Sequence, residues 1–182
     1  MMTMNKNDKL VAILAEGNTE QAILDVLLQH HALKYSQGNL LQEEILRYRS
    51  GKTFARNCLN KSFGQKVKIY RVLDSRNEKF KLPLVYKKKV SNVENLYTRP
   101  EIEILFILFH DDYQKFKNKK FKGKKVKPSI FAKENYDDLK NIKSYKENYE
   151  FWNNHFDKLI DVLKRYKHIS PNNEGCLADL LA

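Results

Sequence analysis

The stretch that decides the fold is LVAILAEGNTEQAILDVLLQHHAL, residues 10–33. Its first part, Leu10 to Ala15, is a short unbroken apolar run, the pattern of a strand buried on both faces. At Glu16–Gly17–Asn18 the polarity breaks. From Thr19 the period changes as well: Ile23, Leu24, Val26, Leu27 and Leu28 fall on one helical stripe that runs to about Leu33. Asn18 stands where a helix cap belongs, with Gln21 in the position a capping box uses. Strand, tight turn and helix in succession open a parallel α/β unit, whose crossover returns the next strand in the same direction.

Outward from this stretch, a polar turn at Ser36–Gln37–Gly38 precedes a short helix expected near Leu40 to Tyr48. The basic segment Arg47 to Thr53 reads as a loop, and a second short helix carries Phe54, Cys58 and Leu59 on one face to about Phe63. Val67 to Leu73, rich in β-formers and ending in Asp74–Ser75–Arg76, is the second strand. Val93 to Tyr97 is a third. It leads into Thr98–Arg99–Pro100–Glu101, a helix start with Thr98 as cap, Pro100 in the first turn and Glu101 reaching back. The apolar run Ile102 to Phe109 then forms a buried helix; a buried strand is the competing reading, and the capping pattern decides for helix. Residues 113–133 hold nine lysines and no acid, and with Gly123 and Pro128 they are expected to be a loop or weakly ordered lobe. One helix from about Ser144 to Tyr166 aligns Phe151, His155, Leu159 and Val162, and a last short helix covers Cys176 to Leu181.

The chain of 182 residues fits a single α/β domain: a small, mostly parallel sheet flanked by helices, with a basic insertion at 113–133 and C-terminal helices over 144–182. A hydrophobic fraction of 42% and an aromatic fraction of 12% exclude global disorder. The net charge of +12, from 34 Lys and Arg against 22 Asp and Glu, repels itself in the compact state and points to a polyanionic partner, RNA or DNA. A compositional bias toward Lys, Asn, Tyr and Ile is the other source of such a charge. Cys58 and Cys176 have neither disulfide-framework nor zinc spacing. The apolar stretch after MMTMNKNDK is too short for a signal peptide, and Ile104 to Phe109 falls far below the roughly 20 residues that span a bilayer. A cytoplasmic protein without membrane partner is expected, with a protein partner or a second copy as the remaining partner class.

Glu16 and Asp74 each end an apolar strand. In a parallel pair both carboxylates emerge at the carboxyl edge, where open α/β sheets bind ligands. Two carboxylates there suit Mg²⁺, which takes oxygen ligands and keeps positions open for phosphate, and the helix after Asn18 aims free N–H groups at the same place. The plainer reading pairs Glu16 with a lysine and has Asp74 cap a turn. Glu103 interrupts an apolar run and must be paired or bind metal: it is either a third ligand or the partner of Arg99, four residues earlier. Ser50–Gly51–Lys52–Thr53 lacks the first glycine of a P-loop, since Arg47 occupies that position; its bases Arg47, Arg49, Lys52 and Arg56 suit backbone phosphates instead. His110–Asp111–Asp112 reads as a solvated helix end. In the lysine run, Lys119, Lys120, Lys124 and Lys125 give affinity for phosphates without sequence readout, or form a merely solvated loop.

These residues resemble a Toprim-type domain over residues 9–110. The likeness lies in the strand ending Glu16–Gly17–Asn18–Thr19–Glu20 before a helix and in the later strand ending at Asp74. Arg99–Pro100–Glu101–Ile102–Glu103–Ile104 before an apolar run is similar to the corresponding helix of RloB-like and other abortive-infection Toprim proteins. Arg47–Arg56, Leu73–Arg76 and Thr98–Glu103 also resemble a small bacterial group sometimes labelled a DNA methylase component, although no methyltransferase motif accompanies them. The Toprim resemblance implies acids that bind Mg²⁺ and support phosphodiester cleavage, often in antiphage defence. In a Mg²⁺-dependent nuclease built on these residues, Glu16 is expected as metal ligand or general acid–base, Asp74 and Glu103 as ligands, and Arg76 as stabiliser of the phosphoryl charge. The family's second acidic strand carries Asp-x-Asp, whereas here Asp74 is followed by Ser75 and Arg76. Either Glu78 or Glu103 takes the place of the missing acid, or the scaffold is a non-catalytic binding module.

Overall fold

In the computed structural model, which describes residues 9–138, 140–171 and 174–182, the run Val11–Ala15 is strand β1, buried at every position. Helix α1, Asn18–Gln29, follows directly. Strand β2, Val67–Leu73, lies parallel to β1 with Ile13 opposite Tyr70, and strand β3, Val90–Tyr97, lies parallel to β2 with Val72 opposite Leu96. The sheet order is β1-β2-β3. The chain is thus an α/β fold with a three-stranded parallel sheet flanked by helices.

Alternation along the strands divides the core in two. Val11, Ile13, Ala15, Tyr70, Val72 and Leu96 face the larger cluster, filled by Ile23, Leu24 and Leu27 of α1 and by helices further along the chain. Leu10, Ala12, Leu14, Val67 and Ile69 face a smaller one built on Phe54 and Cys58 of helix α2, Gly51–Cys58. A helix of one turn, α3 at Leu84–Lys87, precedes β3. The larger cluster is completed by α4, Ile104–Phe109, which places Phe106 against Phe151 and Trp152 with ring centres 5.1 Å apart in both cases.

Several expectations are corrected. Asn18 does not cap α1: Gly17 holds the cap position without a side-chain bond, and Asn18 is the first helical residue, its Oδ1 accepting from Arg47 Nη1 at 2.6 Å. The helix stops at Gln29, because His31 takes a positive φ of 54°. Residues 40–48 form no regular helix. The chain makes 3₁₀ turns at Gln37–Asn39 and Leu41–Glu43; Leu40 between them and Leu46 after them bridge in parallel to Val11 and Leu14 along the outer edge of β1. Thr98 and Glu101 make no capping box. The amide of Thr98 bonds to Leu73 O, and the Glu101 carboxylate accepts from Ser129 N at 3.0 Å, so both are spent on tertiary contacts and α4 begins later than expected.

The lysine-rich segment is not a loop. It comprises helix α5 (Tyr113–Asn118), strands β4 (Lys120–Phe121) and β5 (Lys124–Lys125) in an antiparallel ribbon, and helix α6 (Pro128–Asn135). Phe131 of α6, fully buried, anchors it. The C-terminal helix is two helices, α7 (Tyr145–Asn154) and α8 (Phe156–Ile169), broken at His155. Leu177–Leu180 is a 3₁₀ turn. Cys58 and Cys176 are buried free thiols. No helix among the described residues is long and apolar enough to cross a membrane. Of the leading segment read for a signal peptide, residues 1–8 lie outside the described residues, and the apolar stretch from Leu10 to Leu14 runs into β1.

Candidate functional site

The parallel pairing carries β1 and β2 out at the same edge of the sheet. The Glu16 amide donates to Val72 O at 3.1 Å, and the Asp74 amide donates to Glu16 Oε2 at 3.1 Å. The two acids that end the strands are therefore tied to one another through backbone, with Glu16 nearly buried (9% exposed).

Around them lies a cavity of about 330 Å³ walled by Glu16, Gly17, Asn18, Thr19, Glu20, Arg47, Arg49, Asp74, Glu101, Ile102, Glu103 and Lys143. Five carboxylates face three bases there. Glu20 comes from the first turn of α1 and has Thr98 Oγ1 at 3.3 Å from its Oε1; the same hydroxyl lies 3.2 Å from Leu73 O, so it fastens the helix to the end of β2. Glu103 is 5% exposed and, among the described residues, forms no ion pair with Arg99; its remaining surface opens on the cavity. Gly17 leaves room for the Glu20 carboxylate: a Cβ there would stand 2.4 Å from Glu20 Oε2 and push that side chain aside.

Burial first, and neighbouring carboxylates after it, raise the proton affinity of Glu16, Glu20 and Glu103. Burial pushes Glu16 up first; the Asp74 amide opposes it, and the Asp74 charge adds to it. Burial likewise raises Glu20, its own amide lowering it and the charges of Glu103 and Asp74 raising it further. Glu103 is raised by burial and by Glu101 and Asp74, against its own amide and Lys143. Such a cluster attracts a cation. Among the described residues, no three Asp, Glu, His or Cys side chains stand together as a set that encloses one ion. The oxygen donors suit a hard divalent cation held by one or two carboxylates, its other positions left to water and phosphate.

Of the residues marked in the sequence, Glu16, Asp74, Glu103, Arg47 and Arg49 are brought together here. Arg49 Nε stands 3.8 Å from Glu16 Oε1, with most of its side chain in solvent. Arg76 is not brought in: its guanidinium is ion-paired with Glu174, and it does not line the cavity. Lys52 and Arg56 are exposed on α2, outside the lining. Lys119 pairs with Glu134 at 2.7 Å, whereas Lys120, Lys124 and Lys125 are exposed on the ribbon. His110–Asp111–Asp112 is tied into the fold, by His110 to Asp138, Asp111 to Arg165 and Asp112 to the Tyr136 hydroxyl.

Two wall residues escape sequence reasoning. Glu20 had a signal, as the second acid of Glu16–Gly17–Asn18–Thr19–Glu20, placed on the first helical turn over the strand end. Lys143 had none; it arrives because Thr19 Oγ1 and Asn148 Nδ2 both donate to Ile142 O, pinning that loop to α1. No family model, curated protein or solved structure matches this chain, so the chemistry is read from these residues alone.

Proposed function

We propose that this chain is a Mg²⁺-dependent phosphodiesterase acting on nucleic acid, on a Toprim-like core, with antiphage defence the setting its resemblance implies. The observation that carries the reading is the coupling of Glu16 to Asp74 at the carboxyl edge of adjacent parallel strands, inside a cavity that also gathers Glu20 and Glu103. Glu16 and Asp74 hold the cation, and Glu103 adds charge from the third side. Mg²⁺ would neutralise the carboxylates and polarise the phosphoryl oxygen, an effect worth several kcal/mol. Arg47 and Arg49 on the wall hold flanking phosphates, helped by the positive end of the α1 dipole. The phosphoryl-stabilising role expected of Arg76 passes to Arg49. Glu16, whose proton affinity burial raises, is the group suited to take a proton from an attacking water with the oxygen not given to the cation.

The Arg49–Glu16 ion pair favours a second reading, a nucleic-acid-binding module in which an internal cation already compensates the acid. Incubation of single- and double-stranded RNA and DNA with the purified chain separates the two. Cleavage that requires Mg²⁺ or Mn²⁺ and falls at least about a hundredfold in Glu16→Gln and Asp74→Asn, with circular dichroism unchanged, supports the enzyme. A wild-type chain that takes up no divalent cation by calorimetry and cuts nothing leaves the binding module.

A further inference from the structure

The ribbon in the lysine-rich segment pairs Lys120 with Lys125 and Phe121 with Lys124. Its turn, Lys122–Gly123, has φ of 49° and 77°, the positive pair that a two-residue hairpin needs. Directly opposed residues share a face of a ribbon. Phe121 and Lys124 therefore project on one side, Lys120 and Lys125 on the other, and all four are exposed. A two-stranded ribbon this short does not hold itself together. Its ends are fastened instead, by Lys119 to Glu134 at 2.7 Å and by Lys127 near Glu101 at 3.8 Å. Glu101 is a wall of the acidic cavity, so the ribbon is rooted at its rim.

The aromatic residues of this segment do not share one fate. Tyr113 and Phe116 pack against the main core, Phe116 edge-on to Phe131 at 5.4 Å. Phe121 is 68% exposed, with the Lys122 ammonium 5.6 Å from its ring centre. A phenyl ring left in water on a ribbon of lysines does nothing for folding. Lys120, Lys122, Lys124 and Lys125 form no ion pair among the described residues. We infer that this ribbon is a binding arm for single-stranded nucleic acid, on which Phe121 stacks an unpaired base while Lys120, Lys122, Lys124 and Lys125 hold the neighbouring phosphates. Lysines alone would serve duplex and single strand alike, but the flat face of a ring is of use only to a base not already stacked inside a helix. The inference rests on the nucleic-acid part of the proposed function and is independent of its catalysis.

The test is equilibrium binding of the full chain in EDTA to oligo(dT), oligo(U) and a blunt duplex of equal length. Phe121→Ala should weaken binding to one or both single strands about fivefold or more. It should leave the slope of log affinity against log salt unchanged and the duplex unaffected. Lys120→Gln, Lys124→Gln and Lys125→Gln together should instead flatten that slope by roughly 0.7 per lysine. Phe121→Trp adds an exposed indole whose emission is quenched as bases stack; Trp152 is fully buried and remains a constant background. The comparison of oligo(dT) with oligo(U) tells DNA from RNA. Wild-type affinity of Phe121→Ala for both oligonucleotides, unquenched emission at saturation, or an equal loss on duplex would each overturn the inference. Because no cleavage is measured, failure here leaves the Glu16→Gln test standing, and inactivity in that test leaves this one standing.

Discussion

Replacing Glu103 by Gln should make the protein more stable, and only above a definite pH. Glu103 is 5% exposed, faces the charges of Glu101 and Asp74, and is attracted in turn by Lys143. Burial first, and those two acids after it, raise its proton affinity above the ordinary glutamate value of 4.5. The native protein then keeps a proton at pH values where the unfolded chain has lost it. Stability is fully present below about 4.5 and declines as pH rises through the native pKa. Gln has no proton to lose, and its amide oxygen can still accept from the backbone amide at its own position. We therefore expect a gain at pH 8 on the order of 1 kcal/mol, the scale of an ordinary point substitution, about 2–4 °C in Tm for a chain of this size, and none at pH 4. Urea and thermal denaturation in EDTA across that range measure it. Loss of stability at pH 8 would mean that the carboxylate is paired with a cation, and an equal gain at every pH would mean that packing, not charge, is responsible. Added Mg²⁺ should raise the wild-type Tm by mass action and the variant's less.

Gly17→Ala should separate site from fold. The new Cβ would stand 2.4 Å from Glu20 Oε2, but that atom ends a flexible side chain, so the carboxylate swings aside and leaves Thr98. Tm should move by a few degrees at most, while Mg²⁺ affinity by calorimetry and metal-dependent cleavage both fall; if neither falls, Glu20 has no part in the site. Arg76→Asp, which restores the second Toprim acid on paper, should not raise Mg²⁺ affinity. It should instead leave the Glu174 side chain, 9% exposed, facing another carboxylate, for a loss on the order of 2 kcal/mol in urea denaturation. A gain in Mg²⁺ affinity with stability unchanged would return Arg76 to the site.

Strands β1 and β2 were legible because an apolar run ending in a polar turn leaves a parallel strand little alternative, and the placing of Glu16 and Asp74 followed from them. Buried α4 was legible in kind but not in its start. Thr98 and Glu101 satisfy the local capping pattern, yet Glu20, Leu73 and Ser129 compete for the same groups from far along the chain, and the tertiary partners prevail. Charge hid the order in the lysine run: Phe116 and Phe131 supply the burial that folds it, and a stretch without acids looks solvated whatever its aromatics do. The break at His155 was invisible for the opposite reason. Its ring packs against Phe109 and Phe151 at 5.0 and 4.6 Å, so it belongs to the apolar stripe on which one continuous helix was drawn.

The acidic cavity has a kinetic consequence. Glu16 and Asp74, 58 residues apart, meet only after β1 has found β2, and Glu103 joins once β3 has paired. Such non-local pairings form slowly, and in the open chain the acids hardly sense one another. Their mutual repulsion is then concentrated in the finished structure, where it speeds escape from the native state and barely touches the rate of reaching it. A divalent cation seated between them would act as a brake on opening, lengthening the lifetime of each folded molecule without hastening the birth of the next.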